Sequence, residues 1–158
     1  MSGESPVVDA ATTDRHKGVV RRLVVARNAG DTADLAEIIH PDWTLVNPTV
    51  TLSSRGPQAM AEAFARVKSL FPDSTVTIED LVAEGDKVVT RYSWAATHQI
   101  DLNTRDGRLT SRPSDPPDGR SLRFTGIAID RFHEGRIIET WENQDALGLL
   151  QQLGQIPS

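Results

Sequence analysis

The residues best able to do chemistry stand side by side near the end of the chain, in the run Trp141-Glu142-Asn143-Gln144-Asp145. A carboxylate facing an apolar cavity is a stronger base than one in water, which suits Glu142 to take a proton from carbon. Asn143 could donate a hydrogen bond to a carbonyl or enolate oxygen, and Asp145 could orient a partner from the cavity mouth. The structural alternatives are that Glu142 and Asn143 merely end a strand and that Asp145 caps the following helix. We predict an acid–base site at this corner.

Two basic residues lie on a segment of alternating apolar residues that runs from Lys87 to His98. His98 shares a face with Trp94, whereas Arg91 falls on the opposite face, so both cannot face one cavity without a bulge. His98 could exchange a proton with a phenol or polarise a carbonyl, unless it only begins the next loop. Arg91 could bind an anion such as a carboxylate or enolate, with a structural ion pair as the alternative.

Aromatic side chains and one amide could contact a flat substrate. The aromatic candidates are Trp43, Tyr92, Trp94 and Trp141, which could stack on a polycyclic ring or simply fill the core. Asn47 precedes Pro48, so it could contact the substrate or merely form the turn.

The sequence excludes several kinds of site. It contains no cysteine, so thiolate catalysis, thiolate metal sites and disulfides are ruled out. The spacings of His16, His40, His98 and His133 match no metal-ligand pattern, and no nucleotide-binding or flavin motif occurs. We therefore predict a site with neither a metal nor an organic cofactor.

The bulk composition predicts one domain that contacts neither nucleic acid nor membrane. The chain has 158 residues, a net charge of −5 and no basic stripe. Its first residues lack the basic and apolar regions of a signal peptide, and no apolar run approaches the roughly 20 residues that span a bilayer. We expect a cytoplasmic protein with a flexible segment at residues 1–12 and a single domain at residues 13–158.

The spacing of apolar residues changes along the chain from helical to alternating. The first helix is expected to start near Thr13 or Asp14 and to stop at residues 28–30. A second helix, capped by Asp31, precedes Pro41, and a third runs from Gly56 to Pro72. Strands are predicted at 43–47, 75–83 and 87–98, and in a hairpin after residue 120 that turns at residues 134–135. The intervening segment 103–119 is predicted to be a long loop, either a lid or disordered.

This order predicts an α+β domain. A curved antiparallel sheet should wrap around three N-terminal helices as a cone-shaped barrel, and a short C-terminal helix should close it. A ligand cavity is expected between the sheet and the helices.

The motifs resemble those of one known family. The segments WTLVNP, RYSWAATH and GRSLRFTGIAIDRF, followed by GRIIETWENQDALGLLQQLG, are similar to those of the SnoaL-like polyketide cyclases. That family belongs to the superfamily of cone-shaped α+β barrels that includes ketosteroid isomerase and limonene epoxide hydrolase. The resemblance covers residues 13–157 and implies a homodimer with one deep pocket per subunit, no cofactor and a small aromatic polyketide as substrate.

The resemblance implies two reactions. The best-known members of this family close a ring of an anthracycline precursor by intramolecular aldol condensation, and close relatives help to hydroxylate an anthracycline carbon. In the cyclases the acid–base residue is an aspartate at the position of Glu142, and this difference favours hydroxylation, with a reductase partner as a further expectation. The alternatives are ring closure, an isomerase or epoxide hydrolase that uses Arg91, and a non-catalytic binding or dimerisation module.

Overall fold

The described part of the chain contains four helices. The computed structural model describes residues 9–52, 54–99, 103–105, 108–110 and 118–157. Its helices are α1 (Ala10–Ala29), α2 (Leu35–Ile38), α3 (Gly56–Leu70) and α4 (Ala146–Gln152). No helix in this part of the chain is long and apolar enough to cross a membrane.

The first helix, α1, begins earlier than the sequence predicts. The side chain of Asp9 accepts a hydrogen bond from the backbone N–H of Thr12 at 2.7 Å, so Asp9 caps the helix. The prediction of a flexible segment was therefore wrong for residues 9–12, and residues 1–8 lie outside the described residues. At its other end α1 stops at Gly30, whose φ of 69° is the left-handed conformation that glycine adopts freely.

The second helix is shorter than predicted, and the strand after it is longer. Asp34, not Asp31, precedes the first residue of α2, whereas Asp31 accepts a hydrogen bond from Ala33 N–H. The chain then passes directly into β1 (Ile39–Val46), which contains Pro41. Because β1 is at the edge of the sheet, the missing N–H of proline breaks no central ladder.

A five-stranded sheet forms the other layer of the domain. Its strands are β1, β2 (Thr75–Glu84), β3 (Lys87–Thr97), β6 (Ser121–His133) and β7 (Arg136–Gln144). The order is β1-β7-β6-β3-β2, and every pairing is antiparallel except that of β1 with β7. Long strands coil, so the sheet curves around the helices, and the predicted α+β barrel class is confirmed.

The segment predicted to be a loop contains two short strands. β4 (Asn103–Arg105) pairs antiparallel with β5 (Arg108–Thr110), so the loop prediction was wrong at these six positions. Residues 106–107 and 111–117 lie outside the described residues, and a lid role for the segment stays a prediction.

The inner face of the sheet carries the core. The alternation predicted for β3 is confirmed, since its even-numbered residues are buried: Val88, Thr90, Tyr92, Trp94 and Ala96. One apolar cluster contains Trp43, Phe64 and Phe132, and a second contains Trp94 and Phe124. Members of both clusters line the cavity described next.

Candidate active site

A cavity of about 610 Å³ lies between the helices and the inner face of the sheet. Its walls come from α1, α3, α4, the sheet and residues 49–52, and most of the lining is apolar. The polar residues of the sheet wall are Thr90, Tyr92, Asp130, Thr140, Glu142 and Gln144. This volume and the few polar groups in an apolar lining are typical of small-molecule pockets.

Glu142 is held at both carboxylate oxygens. It follows Thr140 by two residues on β7, so both side chains face the cavity, as the alternation predicts. Oε1 accepts a hydrogen bond from the Tyr92 hydroxyl at 2.7 Å, and Oε2 accepts one from Asn47 Nδ2 at 2.9 Å. Hydrogen bonds to a carboxylate are about twice as strong as neutral ones, so these two fix the position of the charge.

A glycine lets Tyr92 reach Glu142. The two residues lie on β3 and β7, and β6 runs between these strands with Gly126 opposite Tyr92. A Cβ at position 126 would lie 2.4 Å from Cζ and from the hydroxyl oxygen of Tyr92. Burial, followed by the negative charge of Glu142, raises the pKa of Tyr92, so its hydroxyl remains a donor at any physiological pH.

The side chain of Asn47 stabilises the turn after β1 and also binds Glu142. Its side-chain oxygen accepts hydrogen bonds from the N–H and the hydroxyl of Thr49, at 2.8 and 2.9 Å, which forms the turn after β1. Its amide nitrogen donates to Glu142. Because β1 is parallel to β7, the end of β1 lies beside Glu142.

The sequence interpretation missed a second cavity carboxyl, Asp130. It is 4% exposed, and its Oδ1 accepts a hydrogen bond from the Thr140 hydroxyl at 2.6 Å. The Thr140 hydroxyl in turn accepts one from Trp43 Nε1 at 3.0 Å. Burial, opposed by the Thr140 hydrogen bond and assisted by the charge of Glu142, raises the pKa of Asp130 to about 7. A protonated carboxyl is therefore available in the cavity at neutral pH.

Thr90 adds another polar atom to the same wall. Its hydroxyl is buried and has no hydrogen-bond partner among the residues that the structure describes. Unpaired buried hydroxyls are uncommon in native proteins and suggest a missing partner, such as a ligand or a water molecule.

Two predicted site residues lie away from the cavity. His98 is buried but does not line the cavity. Its Nδ1 lies 3.3 Å from Asp118 instead. Arg91 is exposed on the outer face, where Nε donates to Asp80 at 2.7 Å. The expectation that His98 faces the pocket was therefore wrong, and Arg91 cannot supply the arginine of an epoxide hydrolase site.

The two polar candidates that follow Glu142 do not line the cavity. Asn143 is exposed on the outer face opposite Ile127, so the expectation that it contacts the substrate was wrong. Asp145 is exposed and caps α4, with Oδ1 accepting a hydrogen bond from Gly148 N–H at 2.8 Å. The capping alternative is the one that the structure shows.

Two of the four aromatic candidates line the cavity and two do not. Trp43 and Tyr92 line the cavity. Trp94 does not, because it packs in the core on Phe124 with ring centroids 4.7 Å apart. Trp141 alternates with Glu142 and so faces outward, which corrects its expected contact with the substrate.

Three side chains at a distance from the cavity form a possible cation site. One ligand atom from each of His40, His133 and Glu134 lies within 4.8 Å of the others, although the sequence spacing suggested no such group. None of the three lines the cavity, and His133 and Glu134 are exposed.

The arrangement combines one base with one acid in an apolar enclosure. The ionised Glu142 can take a proton from a carbon, and the protonated Asp130 can donate one to an oxygen that becomes negative. The apolar walls strengthen both interactions by excluding water.

Comparisons with known proteins find polyketide cyclases among the similar sequences and structures. Residues 17–153 match the SnoaL-like polyketide cyclases. The chain is 31% identical to aklanonic acid methyl ester cyclase DnrD of Streptomyces peucetius, covering 87% of this chain and 89% of that one. It is 30% identical to the nogalonic acid methyl ester cyclase of Streptomyces nogalater, over 84% and 92% of the two chains. The crystal structure of IdmH from Streptomyces antibioticus superposes with a TM-score of 0.72 at 30% identity, covering 88% of this chain and 98% of that one.

Proposed function

Because the chain belongs to the family of SnoaL-like polyketide cyclases, we propose that it closes a ring of an aromatic polyketide by intramolecular aldol condensation. The observation that supports the proposal most is the Glu142 carboxylate, held by Tyr92 and Asn47 in an apolar cavity that also contains Asp130. Ring closure thereby takes precedence over hydroxylation, which the sequence favoured because of the glutamate. Glutamate is one methylene longer than the aspartate of the cyclases. Because both of its carboxylate oxygens are held in place, the added length does not prevent ring closure.

The reaction needs one proton removed and one supplied. Glu142 takes a proton from a carbon beside a carbonyl, and the electrons of the C–H bond form an enolate. The enolate carbon attacks a ketone carbon of the same molecule, a C–C bond forms, and the electron pair of the C=O bond moves to oxygen. Asp130 protonates that oxygen and recovers its proton from Glu142 through solvent. Substrate and product have the same composition, so this reaction requires no reductase.

Methyl esters of polyketide acids are the first substrates to test. The relatives named above are cyclases of nogalonic and aklanonic acid methyl esters. In such esters the carbonyl acidifies the neighbouring C–H, and stabilising the enolate oxygen is the main task left to the enzyme.

The deciding experiment is turnover of these two esters under oxygen-18 gas. We expect a ring-closed product of unchanged mass without label. Product that is heavier by one labelled oxygen would support hydroxylation instead. The Glu142→Gln variant, assayed in parallel, is the control for spontaneous ring closure.

We also propose that two copies associate through the outer face of the sheet. Five apolar residues, one from each strand, lie in register across it: Val46, Trp141, Ile129, Val89 and Val82. Val46 and Val82 are 50% and 62% exposed, and the nearby Ile127 is 50% exposed. A contiguous apolar row of this kind is typical of a protein–protein interface.

A further inference from the structure

Arg27 is a half-buried cation in the cavity wall. It lies on the last turn of α1 and lines the cavity. The structure gives it neither an ion pair nor a side-chain hydrogen bond with any described residue, whereas Arg22, Arg91 and Arg131 each pair with a carboxylate. Arg66 also lines the cavity but is exposed.

The backbone beside Arg27 is fixed. The side chain of the next residue, Asn28, donates to Val76 O at 2.9 Å and accepts from Val76 N–H at 2.8 Å. These two hydrogen bonds tie the end of α1 to β2, and Gly30 ends the helix two residues later. The guanidinium group is therefore attached to a rigid part of the wall.

The charge of Arg27 acts inside the cavity. It lowers the pKa of Tyr92, against the larger opposite effects of burial and of Glu142. A cation near a helix C-terminus is stabilised by the helix dipole, but a fully exposed residue would gain that as well. The dipole does not explain why this cation faces an apolar cavity.

We propose that Arg27 binds an ionised oxygen of the substrate, either a carboxylate or an ionised phenol on the flat ring system. This inference rests on the proposed function and specifies the substrate as an aromatic polyketide with an ionised oxygen, which in a methyl ester is a phenolate and in a free acid is the carboxylate. The Glu142 carboxylate would repel such an anion, so a cation at a second position is needed to admit it. The planar guanidinium can donate two parallel hydrogen bonds to a carboxylate, which lysine cannot.

Binding can be measured without turnover by quenching of tryptophan fluorescence, since Trp43 lines the cavity. The probes are an anthraquinone monocarboxylate, its methyl ester and a monohydroxyanthraquinone titrated through its own pKa. The wild type should bind the carboxylate more tightly than the ester. Arg27→Gln should weaken carboxylate binding about 10-fold or more and leave ester binding unchanged. Arg27→Lys should retain part of the preference for the carboxylate over the ester. Arg21 is exposed on the same helix, so Arg21→Gln should bind both probes as the wild type does.

The outcomes separate this inference from the proposed reaction. Tighter binding of the ionised than of the neutral hydroxyanthraquinone would identify the phenolate, and a preference confined to the carboxylate would identify the acid. Equal loss of ester and carboxylate binding in Arg27→Gln, or no loss of either, would overturn the inference. An Arg27-dependent preference in a protein that closes no ring would refute the cyclase proposal alone.

Discussion

The Tyr92 hydroxyl lies 2.7 Å from Oε1 of Glu142, although a whole strand, β6, runs between the two residues. The contact exists because β6 has Gly126 where any other residue would place a Cβ against the tyrosine ring. With Asn47 on the other oxygen, the proposed base has a donor on each side. Two donors, Tyr92 on β3 and Asn47 just after β1, therefore fix one carboxylate, and Gly126 on β6 leaves room for the first of them.

Tyr92→Phe should lower kcat while changing KM little. The phenylalanine ring fills the same space, so the fold is retained, but Glu142 loses one of its two donors and becomes mobile. A misplaced base can cost about 10²-fold in rate. Steady-state kinetics of ring closure, with a thermal unfolding scan to verify folding, would check this. An unchanged kcat would show that Tyr92 does not position the base.

Gly126→Ala should reproduce the kinetic defect from a residue that bears no functional group. The new methyl group collides with the Tyr92 ring and must displace its hydroxyl from Glu142. Gly18→Ala is the matched control, because nothing lies within 4 Å of its added Cβ and alanine favours the helix interior. A fully active Gly126→Ala enzyme would contradict the assigned role of the Tyr92 contact.

Asp130→Asn should remove a pH dependence of stability. The pKa of Asp130 rises from 3.8 to about 7 on folding, so between these values the folded state keeps a proton that the unfolded state has released. Its contribution to the free energy of unfolding therefore falls as pH rises through this window, by at most about 1.4 kcal/mol per pH unit. Urea titrations from pH 4 to pH 8 should show the free energy of unfolding of the wild type falling relative to that of the variant as pH rises towards 7. A constant difference would refute the raised pKa.

The same residue should control activity at alkaline pH. Asparagine retains a permanent N–H donor, so Asp130→Asn should lose the decline in kcat that wild type shows above pH 7. Asp130→Leu has no donor and should lose about 10²-fold in kcat, as removal of one oxyanion donor does. Identical pH–rate profiles in wild type and Asp130→Asn would rule out Asp130 as the acid.

Ile129→Asp should dissociate the proposed dimer. A carboxylate in the middle of the apolar row, between Val89 and Trp141, would be buried without a partner. Val25→Asp is the control, since Val25 is 69% exposed on α1, away from the sheet. Light scattering would give the mass of each variant, and a wild type that is already monomeric would refute the interface.

Most of the fold could be predicted from the sequence because its signals are local. Alternating residues predicted β2 and β3 to within one residue at each end, and Pro57 marked the start of α3. The start of α1 was misplaced because Asp9 lies outside the periodic apolar pattern that marks the helix. Pro41 suggested the end of a helix, with the next strand starting at Trp43, but an edge strand tolerates proline and β1 already begins at Ile39.

The site was only partly predictable because alternation gives the face of a strand and not the position along it. It correctly placed Glu142 inward, yet it also placed His98 inward, and His98 is buried beside Asp118 without lining the cavity. Asp130 could have been found by the same rule, since it shares a face with Gly126 and Ala128. The contacts of Glu142 depend on the register between distant strands, which no local pattern encodes.

The most direct test of the account is the rate of ring closure by Glu142→Gln and Glu142→Asp on an accepted polyketide methyl ester. Glutamine keeps the size and the hydrogen-bonding capacity of the side chain but cannot take a proton from carbon. The account predicts that Glu142→Gln loses about 10²-fold to 10⁴-fold in kcat, the range expected for a general base, and that Glu142→Asp retains part of the activity. A correctly folded Glu142→Gln enzyme with kcat near that of the wild type would contradict it.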